Sequence, residues 1–183
     1  MSRSCNTVET SAWPGRGLAL AAVVLACTSS AAWATPEKAA KFYEDALQRY
    51  EKGDLPGAVI QLKNTLLEDK KMLAAQLLLG KVLLMSGELK GAEAAFEEAI
   101  NQGVSRSEVA VPMGQLYLQL GEPKKLLDQI TITGLTPAQQ AEVLTLRGSA
   151  HLMQGATAQA TRSFAEARAQ DPRSPAPLVA EAP

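Results

Sequence analysis

Apolar residues recur three and four positions apart through the body of the chain, in runs punctuated by glycine and by polar pairs. The clearest run is Leu77 to Ile100, LLLGKVLLMSGELKGAEAAFEEAI. It reads as two amphipathic helices joined by a tight turn at Ser86-Gly87-Glu88. The same design returns along the chain. Gly87 has counterparts at Gly53, Gly121 and Gly155, and each step is 34 residues. Seven residues before each glycine lies a small residue: Ala46, Gly80, Gly114 and Gly148. Five after it lie Ala58, Ala92, Leu126 and Ala160, and nine after it Leu62, Phe96, Ile130 and Phe164. Twelve after it lie Thr65, Ala99, Thr133 and Ala167.

Each column has a physical reason. The glycine ends the first helix of a unit, where the residue past the helix end often needs positive φ. The small residue seven before it marks the place where the two helices of a unit cross. The alanine five after it lets the second helix approach the first, and the Leu/Phe/Ile column is expected to fill the space between units. No unit can bury its apolar stripe alone, so neighbours must stack. The expectation is an all-α solenoid of about four helix-turn-helix units, near 36–70, 71–104, 105–138 and 139–172.

The units differ in detail. In unit one Pro36 takes the first helical position, with Thr35 as cap, and Asp54 caps the second helix with Pro56 in its first turn. Asp45 and Arg49 stand where unit two has Leu79 and Leu83, a polar face that suits an end cap. The acidic residues Glu88, Glu93, Glu97 and Glu98 read as a solvated face of unit two. In unit three Ser105 or Ser107 caps a helix that contains Pro112, which predicts a kink or a late start. Its second helix should stop near Ile130, because Thr131-Ile132-Thr133-Gly134 favours extended backbone. Unit four opens on Thr136-Pro137 with Gln139 placed for a capping box, and Leu144, Gly148 and Leu152 are expected to face inward. The tail 173–183 is Pro-rich and reads as the opening of a fifth unit. With no capping helix there, either the chain is a piece of a longer array or its last face is exposed, which would favour self-association through that edge.

Leu79, Gly80, Leu83, Gly87, Ala92, Phe96 and Ala99 sit at the spacings of a tetratricopeptide (TPR) repeat, and the array resembles that family. The resemblance implies a groove lined by the first helices. Its columns here are Tyr43, Leu77, Val111 and Thr145; then Leu47, Lys81, Gln115 and Ser149; then Tyr50, Leu84, Leu118 and Leu152. Leu84, Leu118 and Leu152 read first as core between helices and second as groove. Only Lys81 is basic, too few cations for a clamp on a partner's terminal carboxylate. A groove of this kind suits an amphipathic or extended protein segment held by modest apolar contacts.

Composition and charge narrow the function. The chain has 183 residues, 18 basic against 19 acidic, so nucleic-acid binding has no electrostatic support. Residues 1–34 read as an export signal, with Arg3 and Arg16 ahead of the apolar run Gly17 to Ala26. Cleavage after Ala32-Trp33-Ala34 would start the mature chain at Thr35. Alternatively Val24-Leu25-Ala26-Cys27 resembles a lipobox, and Cys27 would carry the lipid as the one membrane anchor. Either way the product is exported, to the periplasm or to a membrane facing it. The single histidine, His151, shares a column with Leu83 and Tyr117 and reads as a packing residue. No HExxH, GxSxG or glycine-rich phosphate loop is present, so neither an enzyme nor a cofactor or metal protein is expected.

The run YEKGDLPGAVIQLKNTLLEDKKMLAAQLLLGKVLLMSGELKGAEAAFEEAINQGV, and Ala58 to Asn64 above all, resembles the N-terminal part of the PEP-CTERM system TPR-repeat lipoproteins, a resemblance that covers about Ala39 to Pro172. Members are longer arrays associated with exopolysaccharide and exosortase protein-sorting loci. The resemblance implies a non-catalytic scaffold of the bacterial envelope that binds a protein or peptide partner. The alternative is an assembly factor for another envelope machine, such as a pilus or an outer-membrane complex.

Overall fold

Four times in this chain a helix is stopped by the same turn. Gly53, Gly87, Gly121 and Gly155 have φ of 77°, 77°, 72° and 72°, a backbone that a side chain would strain. In each case the next residue's N–H reaches back across the turn to the helix. Asp54 N donates to Arg49 O at 2.9 Å, Glu88 N to Leu83 O at 2.9 Å, Glu122 N to Tyr117 O at 2.8 Å and Ala156 N to His151 O at 2.9 Å. The helix-end carbonyls are thus satisfied and the chain is aimed back along the helix it has just left.

The structure, a computed structural model, describes residues 36–172. Among them are eight helices: α1 (Pro36–Glu51), α2 (Leu55–Glu68), α3 (Leu73–Met85), α4 (Leu89–Asn101), α5 (Arg106–Gln119), α6 (Pro123–Gln129), α7 (Pro137–Met153) and α8 (Thr157–Gln170). No helix of the described residues is long and apolar enough to cross a membrane. The export signal read over 1–34, with Cys27, and the tail 173–183 lie outside the described residues.

The local signals act as the residues dictate. Asp54 Oδ1 accepts the N–H of Gly57 at 3.0 Å, and Ser105 rather than Ser107 is the cap of α5. Thr136 and Gln139 form a reciprocal capping box ahead of α7. Pro112 does not delay α5, which runs unbroken from Arg106. The proline removes only the donor that would have met the Glu108 carbonyl.

Packing within a pair is set by one contact. A Cβ placed on Gly80 would lie 2.5 Å from Phe96 Cε1, and one on Gly148 would lie 2.3 Å from Phe164 Cε1. Phe96 and Phe164 are 0% and 2% exposed. The phenyl rings therefore seat on the glycines of their own units, which corrects the expectation that this column fills the space between units. Unit one holds Ala46 and Leu62 in the same two places, both fully buried, so the larger small residue goes with the smaller large one. The same geometry revises the picture of the last edge. Ala160, Phe164 and Ala167 are already buried in unit four, and none of them waits for a following unit.

Unit three departs. α6 has 7 residues against 13 or 14 in the other second helices. Ile130 turns to extended backbone, and Thr133, aligned with buried Thr65, Ala99 and Ala167, lies exposed in the loop. Gly114 accordingly faces the next unit, its absent Cβ 2.9 Å from Leu146 Cδ1. Arg147 of α7 answers the truncation: Nη1 donates to the carbonyls of Leu127 and Ile130, each at 3.1 Å. The end of α6 is closed by a cation, the charge a helix C-terminus favours. α5 accordingly touches α7 more extensively than its own partner α6.

These contacts separate two glycines of one column. Gly80→Ala should cost about 1–3 kcal/mol, because the buried Phe96 ring cannot retreat. Gly114→Ala should be close to neutral, since the flexible end of Leu146 can yield and alanine gains up to about 1 kcal/mol of helix propensity. Adding Phe96→Leu to Gly80→Ala rebuilds the Ala46/Leu62 pair and should recover most of the loss. Denaturant unfolding of the three variants measures this coupling.

Candidate functional site

The first helices α1, α3, α5 and α7 leave one face free of the second helices, and the repeat places the same columns there in each unit. A depression of about 360 Å³ opens on this face, and all four first helices contribute to it. Tyr50 comes from α1; Lys81, Leu84 and Met85 from α3; Glu108, Val111, Pro112 and Gln115 from α5; Gln139 and Glu142 from α7. The site thus runs across the helices from the end of α1 to the start of α7.

Five of the twelve groove residues expected from the sequence meet in this depression: Tyr50, Lys81, Leu84, Val111 and Gln115. Tyr43, Leu47, Leu77 and Leu118 are half-buried and pack against the core rather than line the cavity. Thr145 and Ser149 turn their hydroxyls onto their own helix, to the carbonyls of Ala141 at 2.8 Å and Thr145 at 3.2 Å. Leu152 does not face inward as expected but is 44% exposed. Its column mate Leu84 is covered where α5 packs beside α3. No first helix follows α7 among the described residues, so Leu152 has no such cover.

Sequence reasoning missed Met85, Glu108, Pro112, Gln139 and Glu142. The signal was available for the two acids: Glu108 and Glu142 share one column, held by Ala40 and Ala74 in the earlier units. Lys81 is half-buried, and Glu108 and Glu142 are exposed. Among the described residues none of the three has an ion-pair partner. Elsewhere some charges are paired between helices.

Unit one shows such pairing on its outer side. Arg49 Nε donates to Asp45 Oδ2 at 3.0 Å, Arg49 Nη1 to Asp54 Oδ2 at 2.9 Å, and Gln61 Nε2 to Asp45 Oδ2 at 2.6 Å. The Gly57 N–H, and then Arg49, hold the Asp54 carboxyl below its ordinary range. In unit three Lys125 pairs with Glu93 of α4 and lies 4.7 Å from the Tyr117 ring centroid. Tyr117, 1% exposed, donates its hydroxyl to Gln129 Oε1 at 3.0 Å. Glu93 is therefore a fastening between units rather than part of a solvated face. His151 stands half-buried in the column of Leu83 and Tyr117.

Compared with known proteins, the chain matches no family model and no curated protein. Among solved structures it is similar to a tetratricopeptide repeat protein from Parabacteroides merdae ATCC 43184, with a TM-score of 0.66 and 21% identity. The likeness covers 79% of this chain and 57% of that one, so the chain spans little more than half its length. It establishes the fold: the described residues form a TPR-like helical solenoid.

The fastening beneath α5 sets an alkaline limit. Burial raises the Tyr117 pKa above its ordinary value, and the bond to Glu93 raises that of Lys125. A group whose folded pKa is raised lends its full stability below its unfolded pKa and loses it as pH rises through the folded one. Thermal stability should therefore hold to about pH 10 and fall above it. Tyr117→Phe should flatten that fall, as followed by circular dichroism melts between pH 8 and 11.5. Parallel profiles for the two proteins would show that Tyr117 ionisation does not contribute.

Proposed function

We propose that this chain is a non-catalytic scaffold that holds a segment of a partner protein on its first-helix face. The observation that carries the reading is the convergence of four helices on one open depression with an apolar floor and unpaired charges. Leu84, Val111 and Pro112 supply the floor. Lys81, Glu108 and Glu142 supply polar anchors that the molecule's own packing leaves unused. Apolar contact for affinity with a few placed charges for orientation is the usual composition of a peptide-binding surface. The TPR-like fold supports the same reading, as a stack of helix pairs that builds an extended surface.

We place this scaffold in the bacterial cell envelope, exported to the periplasm or held there by a lipid on Cys27, in the service of a PEP-CTERM/exosortase-associated system of exopolysaccharide export or protein sorting. The signal-like segment before Thr35 and the resemblance over Ala39 to Pro172 support this placement.

Two measurements test the proposal. A photo-reactive amino acid at Gln115, exposed in the depression, should capture a protein partner in cells, while one at Lys63 on α2 should not. Equal capture at both positions, or none at Gln115, would count against the groove. Mass spectrometry of the envelope fraction should find either a lipidated Cys27 or an N-terminal Thr35. A cytoplasmic product that retains Met1 would sink the envelope placement.

A further inference from the structure

The depression is electrically polar along its length, and this polarity fixes the direction in which a segment can lie. Lys81 stands on α3, one turn before Leu84. Glu108 stands on α5, the helix between, with Val111 and Pro112, and Glu142 stands on α7. All three are free of internal ion pairs among the described residues; Leu84 shares α3 with Lys81, and Val111 and Pro112 on α5 lie between Lys81 and Glu142. A segment bound in one direction meets a complementary charge at each end; reversed, it meets like charge at both.

We infer that the groove takes an extended segment with an acidic residue toward α3, apolar residues in the middle and a basic residue toward α7. This rests on the scaffold reading above and specifies its partner. The spacing follows from helix packing. Neighbouring helices lie about 8–10 Å apart, so Lys81 on α3 and Glu142 on α7, with α5 between them, are separated by roughly 20 Å. Extended chain rises about 3.3 Å per residue, which puts the two charges about six positions apart. A helix, at about 1.5 Å per residue, would need roughly twice that number. Alternation along an extended segment then turns every second side chain toward the floor.

The probes are two terminally blocked heptapeptides, DALAVAK and its charge reversal KALAVAD, titrated into the isotopically labelled full chain at low salt. Amide shifts at Val111 and Gln115 report occupancy of the depression. DALAVAK should bind about tenfold more tightly than KALAVAD, the scale of two exposed ion pairs replaced by like-charge contacts. The triple variant Lys81→Glu, Glu108→Lys, Glu142→Lys should invert the order of the two peptides. All three positions are at least partly solvent-accessible, and an unchanged melting temperature would show that the variant folds. If both peptides shift Val111 and Gln115 with equal affinity, the groove reading stands and the polarity inference is overturned. If neither peptide shifts those amides, both fall.

Discussion

The distance between the two helices of a pair is the constraint from which the rest of the structure follows. It is set by a residue with no side chain and one with a large flat one. Phe96 occupies the volume that a Cβ on Gly80 would need, and Phe164 does the same at Gly148. Close approach lets Ala58, Ala92 and Ala160 reach full burial. Ala46 with Leu62 shows that the sum of the two volumes is held, not the identity of either residue, as close packing requires.

Unit three tests how much of this arrangement is needed. It keeps Gly114 and Leu126 but has no ring to seat on the glycine, and its second helix ends at Gln129. Other contacts take over. Arg147 closes the helix end from the following unit, and Lys125 ties α6 back to α4 through Glu93 and the face of Tyr117. Unit three is thus held mainly by its neighbours, where units two and four are held from within. The polar groups involved are one guanidinium, one ammonium and one buried phenol. The local stability of this unit therefore responds to pH, while the aromatic contacts of its neighbours do not.

Much of this was legible in the sequence because it is local or periodic. Glycine spacing fixed the turns, Thr136-Pro137 with Gln139 fixed the start of α7, and a β-branched run announced the end of α6. Partners supplied from elsewhere were not legible. Arg147 occupies a column that holds Leu79 in unit two, and nothing in the spacing says that it will find two free carbonyls 17 and 20 residues back. Leu152 was misjudged for a related reason. A column tells which side of a helix a residue occupies, but burial depends on whether a helix follows. Of the columns read as a groove, five of twelve residues line the depression, because its diagonal course selects the ends of some helices and the starts of others. Glu108 and Glu142 enter the site on that account, and Thr145 and Ser149 do not.

The floor and the rim of the depression consequently have different freedom to change. Leu84 is 6% exposed and belongs to the core as well as to the cavity. Packing in the core and lining of the depression, read from the sequence as alternatives for this residue, coexist in it. Any substitution there acts on stability and on the surface together. Lys81, Glu108 and Glu142 carry no internal ion pair, so exchanging their charges disturbs little of the fold. On the scaffold reading proposed above, the apolar floor is common to stacking and recognition, and it sets how tightly a segment can be held. On the same reading, the free charges can be altered without disturbing that floor, and selectivity for one partner over another follows from them.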